Sequence, residues 1–266
     1  MNVKVTGREG HRIHTIDDWQ QHGGPASPKH WKPGRSAYEL AADCLERDAE
    51  GRLVKLISLL DEVDELQLLD AVAEKKTYFD GHSGPRNHDL LVHARCAQGP
   101  LTIGIEAKAD EAFDLPLWRY REEGLKGNPR TKKLERIDHL VSLWFSTRLK
   151  DDRVVPPLIT MGYQLFSALA GTLADAKFDG SSLAILVVYE FRTNLTTDVE
   201  HEHNARVYDD FLQRLLGSDQ RRRSTVDKTG WITEPRLIPG DGAKMPLETR
   251  VAFGKVAREL RKHSPQ

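Results

Sequence analysis

Residues 183–191 read Leu-Ala-Ile-Leu-Val-Val-Tyr-Glu-Phe, a run that is apolar on both sides of an extended backbone. A strand with one wet face alternates apolar and polar side chains, whereas a strand that does not alternate has both faces covered. The run therefore predicts a central strand, and with it a sheet that carries one layer of structure above and another below.

Helices are available to form those layers. A helix is expected over 37–48 with Ser36 as its N-cap. A second is expected over 52–75, where Leu53, Leu56, Ile57 and Leu60 recur at helical spacing and Leu66, Leu69 and Val72 continue the pattern. Leu134, Ile137, Leu140, Val141 and Trp144 form the stripe of a helix over 133–145. Residues 158–176 are alanine-rich and apolar on most sides, which predicts a buried helix, and 205–216 are amphipathic through Val207, Tyr208, Phe211, Leu212 and Leu215. Between them, 112–131 contain Pro116, Gly124, Gly127 and Pro129 and read as a long irregular loop. Trp231-Ile232 begins a further strand, and 247–260 fit either a strand or a helix. Residues 1–34, rich in Gly, Pro, His and Trp, read as an irregular extension; 35–217 read as one α/β domain, and 218–266 as a C-terminal extension packing on it. With 266 residues, 39% of them hydrophobic, the chain can bury a real core.

Several classes of function lose support at once. Mean hydropathy is −0.54, and no apolar run approaches the roughly 20 residues of a membrane span, so no membrane partner is expected. The polar start lacks the apolar segment of a secretory signal. Cys44 and Cys96 fit neither a metal spacing nor a disulfide framework, and a reducing cytoplasmic setting is expected. No G-x-x-x-x-G-K-[ST] loop is present, so ATP hydrolysis has no support. Gly81-His82-Ser83-Gly84 misses a nucleophile elbow because position 85 is proline. Glu200-His201-Glu202-His203 lacks the i, i+4 histidine pair of zinc proteases and reads as a solvated turn ahead of a helix. The net charge of −1 does not announce nucleic-acid binding. Basic residues do cluster locally, at Lys126, Arg130, Lys132, Lys133 and Arg136 and again at Arg221, Arg222 and Arg223. Such clusters either contact phosphates or are solvated faces.

The chemistry gathers on a hairpin. Residues 89–94 and 101–109 read as strands joined by Gln98-Gly99-Pro100. Leu101, Ile103, Ile105 and Ala107 alternate with Thr102, Gly104, Glu106 and Lys108, so Glu106 and Lys108 share a face. A turn centred between Ala97 and Gln98 sets Ala94 opposite Leu101 and Asp89 opposite Glu106. Opposed residues have Cβ atoms roughly 4.5–5.5 Å apart. Two carboxylates at that distance in a cleft call for a cation. Mg²⁺ suits one or two carboxylates plus water and phosphate oxygens, and it lowers the pKa of bound water to make a nucleophile. The Lys108 ammonium, on the same face, is placed to hold that water or to contact the scissile phosphate.

Asp89 followed by Ile105-Glu106-Ala107-Lys108 resembles the D…(D/E)-x-K signature of the PD-(D/E)XK superfamily of restriction and repair nucleases. His88 stands where the signature has proline, a departure the superfamily tolerates. The element order over 36–216 is similar to its core, and the Gly34-Arg35-Ser36-Ala37, Glu-x-Lys and Tyr163-Gln164-Leu165 segments resemble those of a bacterial family within it. The resemblance implies a restriction endonuclease-like mixed central sheet flanked by helices, with an α-β-β-β-α-β core. It implies an endonuclease dependent on Mg²⁺ or Mn²⁺, with nucleic acid, in particular DNA, as substrate and partner. Asp89, Glu106 and the Ala107 carbonyl would hold the metal, Lys108 would orient the water, and Gln164 would face the site from its helix. Glu39 is a further acidic candidate by resemblance, although Ser36-x-x-Glu39 also satisfies a capping box. Asp110 and Glu111 follow the motif, either as supports of the site or as solvated strand ends, and His88 either contacts phosphate or simply flanks the strand. Restriction-type nucleases often act as dimers, so a homodimer fits the resemblance. Two alternatives remain open: a nuclease-like fold that only binds nucleic acid or protein, and a carboxylate-metal hydrolase of small phosphoesters.

Overall fold

The computed structural model describes residues 1–261 except 2, 26, 83, 114, 128–131, 218, 220–222 and 227–228. The elements run β1 (Lys4–Thr6), α1 (Ile16–Gly23), α2 (Ser36–Leu45), α3 (Ala49–Ile57), β2 (Gln67–Thr77), β3 (Arg86–Cys96), β4 (Gly99–Lys108), α4 (Leu117–Lys126), α5 (Lys133–Phe145), α6 (Tyr163–Asp179), β5 (Leu183–Arg192), α7 (Asp198–Leu216), β6 (Arg223–Val226), β7 (Gly230–Thr233), β8 (Arg236–Pro239) and β9 (Glu248–Glu259). Short 3-10 turns lie at Pro28–His30 and Leu158–Thr160.

One nine-stranded mixed sheet takes the order β1-β2-β3-β4-β5-β9-β7-β6, with β8 also on β9. β2, β3 and β4 are antiparallel neighbours, while β5 lies parallel to both β4 and β9. The central strand is β5, and its side chains divide between two cores. Ile185, Val187 and Tyr189 pack with Trp19 of α1, Leu40 of α2 and Leu53 of α3. Ala184, Leu186 and Val188 pack with Ile137 of α5, Leu169 of α6 and Phe211 of α7. Each Leu, Ile or Val among them, fully buried, contributes about 1.5–3 kcal/mol, which is why the run has no polar alternation. Among the described residues, no helix is long and apolar enough to cross a membrane.

Several local expectations need correction. The helix expected over 52–75 ends at Ile57, and β2 occupies its second half. There Leu68, Ala71 and Ala73 are buried while Leu69 is 42% exposed. The loop expected over 112–131 contains α4, with Pro116 as its N-cap and Gly127 as its C-cap. The helix expected from 158 begins at Tyr163. Glu200 to His203 form the first turns of α7, where Glu200 makes a capping box with Thr197. The segment 1–34 is not irregular throughout: β1 pairs with β2, and α1 buries Trp19. From the segment after 217, β9 enters the middle of the sheet. At α2 the N-cap is Arg35, not Ser36.

Two glycines set close approaches near the motif strands. Gly34 has φ 93°, a left-handed backbone open to glycine, and its N–H donates to Glu39 Oε1 at 2.8 Å. Gly104 of β4 lies under α6, where an added Cβ would sit 2.1 Å from Thr172 Oγ1.

Candidate functional site

The β3–β4 ladder has the expected register, Ala94 opposite Leu101, and runs as far as Leu90↔Ile105. Beyond that pair the Ala107 N–H donates to Asp89 Oδ2 at 2.7 Å. An acidic side chain thus completes the backbone pairing where the two strands part. On β4, Lys108 Nζ donates to Glu106 Oε1 at 2.7 Å, so these two residues share a face as the alternation requires. Arg86 of β3 bonds the other Glu106 oxygen. Glu106 is 0% exposed and Lys108 3%.

Electrostatics separate the two carboxyls. Burial, then the Glu106 carboxylate, push Asp89 well above the usual carboxylate range, against the pull of Lys108 and Arg86. Burial would raise Glu106 as well, but Arg86 and Lys108 outweigh it and hold Glu106 below its ordinary value. Burial would lower Lys108, and Glu106 and Asp89 reverse this, so its ammonium is kept.

A cavity of about 320 Å³ opens on this cluster, and Asp89, Ala107, Lys108 and Gln164 all line it. So do Glu74 and Glu111. Glu74 was not legible from the sequence. It lies on β2 between Ala73, which pairs with Leu90, and Lys75, which pairs with His88, and so stands level with Asp89. Its φ of 52° is unusual for a non-glycine residue within a strand. Burial pushes its carboxyl up to about 7. Arg86 was missed for the same reason: it meets Glu106 only through strand pairing.

Glu39 does not join this cluster. It is 5% exposed, bonds the Gly34 N–H, and accepts from Arg47 at 2.9 Å. The capping half of its expected behaviour survives in altered form, since the amide it bonds precedes the N-cap. His88 is buried against Gly171 of α6, and burial pushes it down to about 3. Asp110 pairs with Arg35 at 2.9 Å. Burial raises Glu111, while Lys108 and the Ser36 hydroxyl pull it down. His201 Nδ1 lies 2.7 Å from Glu190 Oε1 on β5, and Lys255 Nζ lies 2.9 Å from the other oxygen.

The described members of the first basic cluster are each matched by an acid: Lys126 by Glu122, Lys132 by Glu135, Lys133 by Glu123, and Arg136 by Asp80. Arg223 pairs with Asp209 and lies over Trp231. Arg130, Arg221 and Arg222 lie outside the described residues.

Among the described residues, no three His, Cys, Asp or Glu side chains converge as a ready-made metal cage. The oxygen donors around Ala107 nonetheless fit a hard cation that retains waters. They are carboxylates, and burial beside Glu106 disfavours the Asp89 anion, a cost that a cation at this point would relieve.

A protein family described as a domain of unknown function (DUF6946) matches residues 12–253. No curated protein and no solved structure matches the chain.

Proposed function

The chain belongs to the DUF6946 family, and from the residues gathered around Ala107 we propose that it is a divalent-metal-dependent nuclease that hydrolyses phosphodiester bonds in DNA. The observation that carries this reading is the Asp89 carboxylate seated on the Ala107 N–H between Glu106 and Lys108. Asp89 and Lys108 stand in the cavity wall, and Glu106 lies buried directly behind it, bonded to Lys108. The arrangement of β2, β3 and β4 as antiparallel neighbours, with α6 leading to a parallel β5, supports the α-β-β-β-α-β core of the restriction endonuclease-like fold.

In this reading Asp89, Glu106 and the Ala107 carbonyl would hold Mg²⁺ or Mn²⁺, and Glu74 would take the place that the resemblance offered to Glu39. The bound ion would offset phosphate charge and acidify its water. Arg86 keeps Glu106 ionised. The Lys108 ammonium would orient the attacking water, and Gln164 would face the scissile phosphate across the cavity.

The test is cleavage of plasmid, linear and single-stranded DNA with Mg²⁺, Mn²⁺ or EDTA, comparing wild type with Lys108→Ala and Glu106→Ala. Cleavage that needs metal and disappears in both variants is expected. Cleavage that survives both substitutions would place the active site elsewhere, and no cleavage under any condition would favour a binding module.

A further inference from the structure

A second cavity, of about 480 Å³, lies between the end of β2 and the C-terminal end of α6. Lys75, Lys76, Tyr78, Lys177, Phe178 and Lys244 line it. Its charges differ from those of the matched cluster on α4 and α5. The Lys75, Lys76 and Lys244 ammonium groups form no hydrogen bond or ion pair with the described residues. Lys177 Nζ donates to the Gly242 and Ala243 carbonyls at 2.7 and 2.8 Å, which fix the ammonium without neutralising it. The acid in the wall, Asp175, has Oδ2 engaged by His93 Nε2 at 2.8 Å. Two flat rings stand out from this basic wall: Tyr78 is 52% exposed and Phe178 89%.

The groove and the candidate active site are both built on β2 and α6. Lys75 directly follows Glu74, and Thr77, also in the groove wall, pairs with Arg86, which holds Glu106. Along α6, Gln164 lines one cavity and Phe178 the other; 14 residues at 1.5 Å each separate them by about 21 Å.

Unmatched lysines recognise a polyanion. Exposed rings recognise flat faces, and a base offers a free face only when it is unstacked from its neighbours. Duplex DNA presents phosphates but keeps its base faces covered. We propose that this groove binds single-stranded DNA, with bases stacked on Tyr78 and Phe178 and the backbone phosphates against Lys75, Lys76 and Lys244. The proposal rests on the nuclease reading and extends it: the substrate carries a single-stranded segment next to the bond that is cut.

Binding is measured in EDTA, which separates it from cleavage, by fluorescence anisotropy of a labelled oligothymidylate of about 20 nucleotides. Wild type is expected to bind it more tightly than a duplex of the same length. Phe178→Ala and Phe178→Leu are expected to weaken binding about tenfold and Phe178→Trp to preserve it, a pattern that separates stacking from mere apolar contact. Replacing Lys75 and Lys76 with Gln should flatten the dependence of log affinity on log salt by about 0.7 per lysine. Phe178 is so exposed that its loss leaves the fold intact. Unchanged affinity in Phe178→Ala, equal binding of duplex, or competition by inorganic polyphosphate as strong as that by the oligonucleotide would each overturn the proposal. A chain that cuts DNA yet gives any of these results keeps the nuclease reading and loses the groove.

Discussion

Asp89 accepts the Ala107 N–H at 2.7 Å, just past the point where the β3–β4 ladder ends at Leu90↔Ile105. An asparagine there can still accept this hydrogen bond, but it carries no charge to set against Glu106. Asp89→Asn is therefore expected to fold and to gain about 1 kcal/mol of stability in urea unfolding while losing metal-dependent cleavage, the usual trade at a site held for function. A less stable variant would mean that the carboxylate is needed for the fold itself.

Lys108 and Arg86 together balance the fully buried Glu106. Lys108→Ala leaves Arg86 as the remaining counter-charge, and a loss of roughly 1–3 kcal/mol is expected, below the full cost of stranding a buried charge. The lysine also lies 5.3 Å from the centre of the Phe113 ring. Lys108→Met keeps that packing and should therefore be more stable than the alanine variant while equally inactive. Circular dichroism melts beside cleavage assays distinguish the two contributions.

On the opposite face of the sheet, Asp43 is 0% exposed and receives Tyr189, Arg52 and Arg258. Asp43→Ala would leave a buried phenol and converging arginines without an acceptor, and a loss of ~3 kcal/mol in chemical denaturation is expected. The arginines retain partial access to water, which keeps the figure at the low end. An unchanged midpoint would show that they find other partners.

His93 sits between Asp70 at 3.0 Å and Asp175 at 2.8 Å. The Asp175 hydrogen bond outweighs burial and, with Asp70, raises the imidazole to about 9. A group whose pKa rises on folding stabilises fully below its unfolded value, near 6.5, and loses that contribution as pH climbs through the folded value. The expected effect is on the order of 1–2 kcal/mol, discounted for the exposed Asp70. Melting temperature should fall between pH 6.5 and 9.5 in wild type and fall less in His93→Gln. Equal slopes in the two proteins would remove His93 as the cause.

Gly104 tests the seating of α6 on the motif strand. Gly104→Ala places a methyl against Thr172 Oγ1 and is expected to cost about 1–3 kcal/mol by overpacking. Adding Thr172→Ala should recover part of that loss, so a double-mutant cycle with no coupling would contradict the close approach.

The hairpin was legible because its evidence is local: alternation along 101–109, one turn and one register place Asp89, Glu106 and Lys108 together. β5 was legible for a related reason, its lack of alternation. The second half of 52–75 was not, since Leu66, Leu69 and Val72 fit a helical spacing as well as a strand, and only tertiary pairing decided for β2. α4 was hidden by residues taken as breakers. Pro116 and Gly127 punctuate its ends, and Gly124 packs against α5 beside Leu134. Glu74 and Arg86 reach the site by strand pairing across 15 or more residues, and Glu39 leaves it through a local bond to Gly34; no spacing rule reports either.

The placement of β9 in the middle of the sheet bears on how the protein is made. Until a ribosome has translated residues 248–259, one long edge of β5 has no partner, and that edge belongs to the most apolar strand in the chain. Nascent chains halted before this point carry an open template for pairing with one another. A truncation ending at residue 240 should accordingly accumulate in the insoluble fraction when expressed, unless a holdase shields that edge, and supplying residues 241–261 as a separate peptide during refolding should return it to solution.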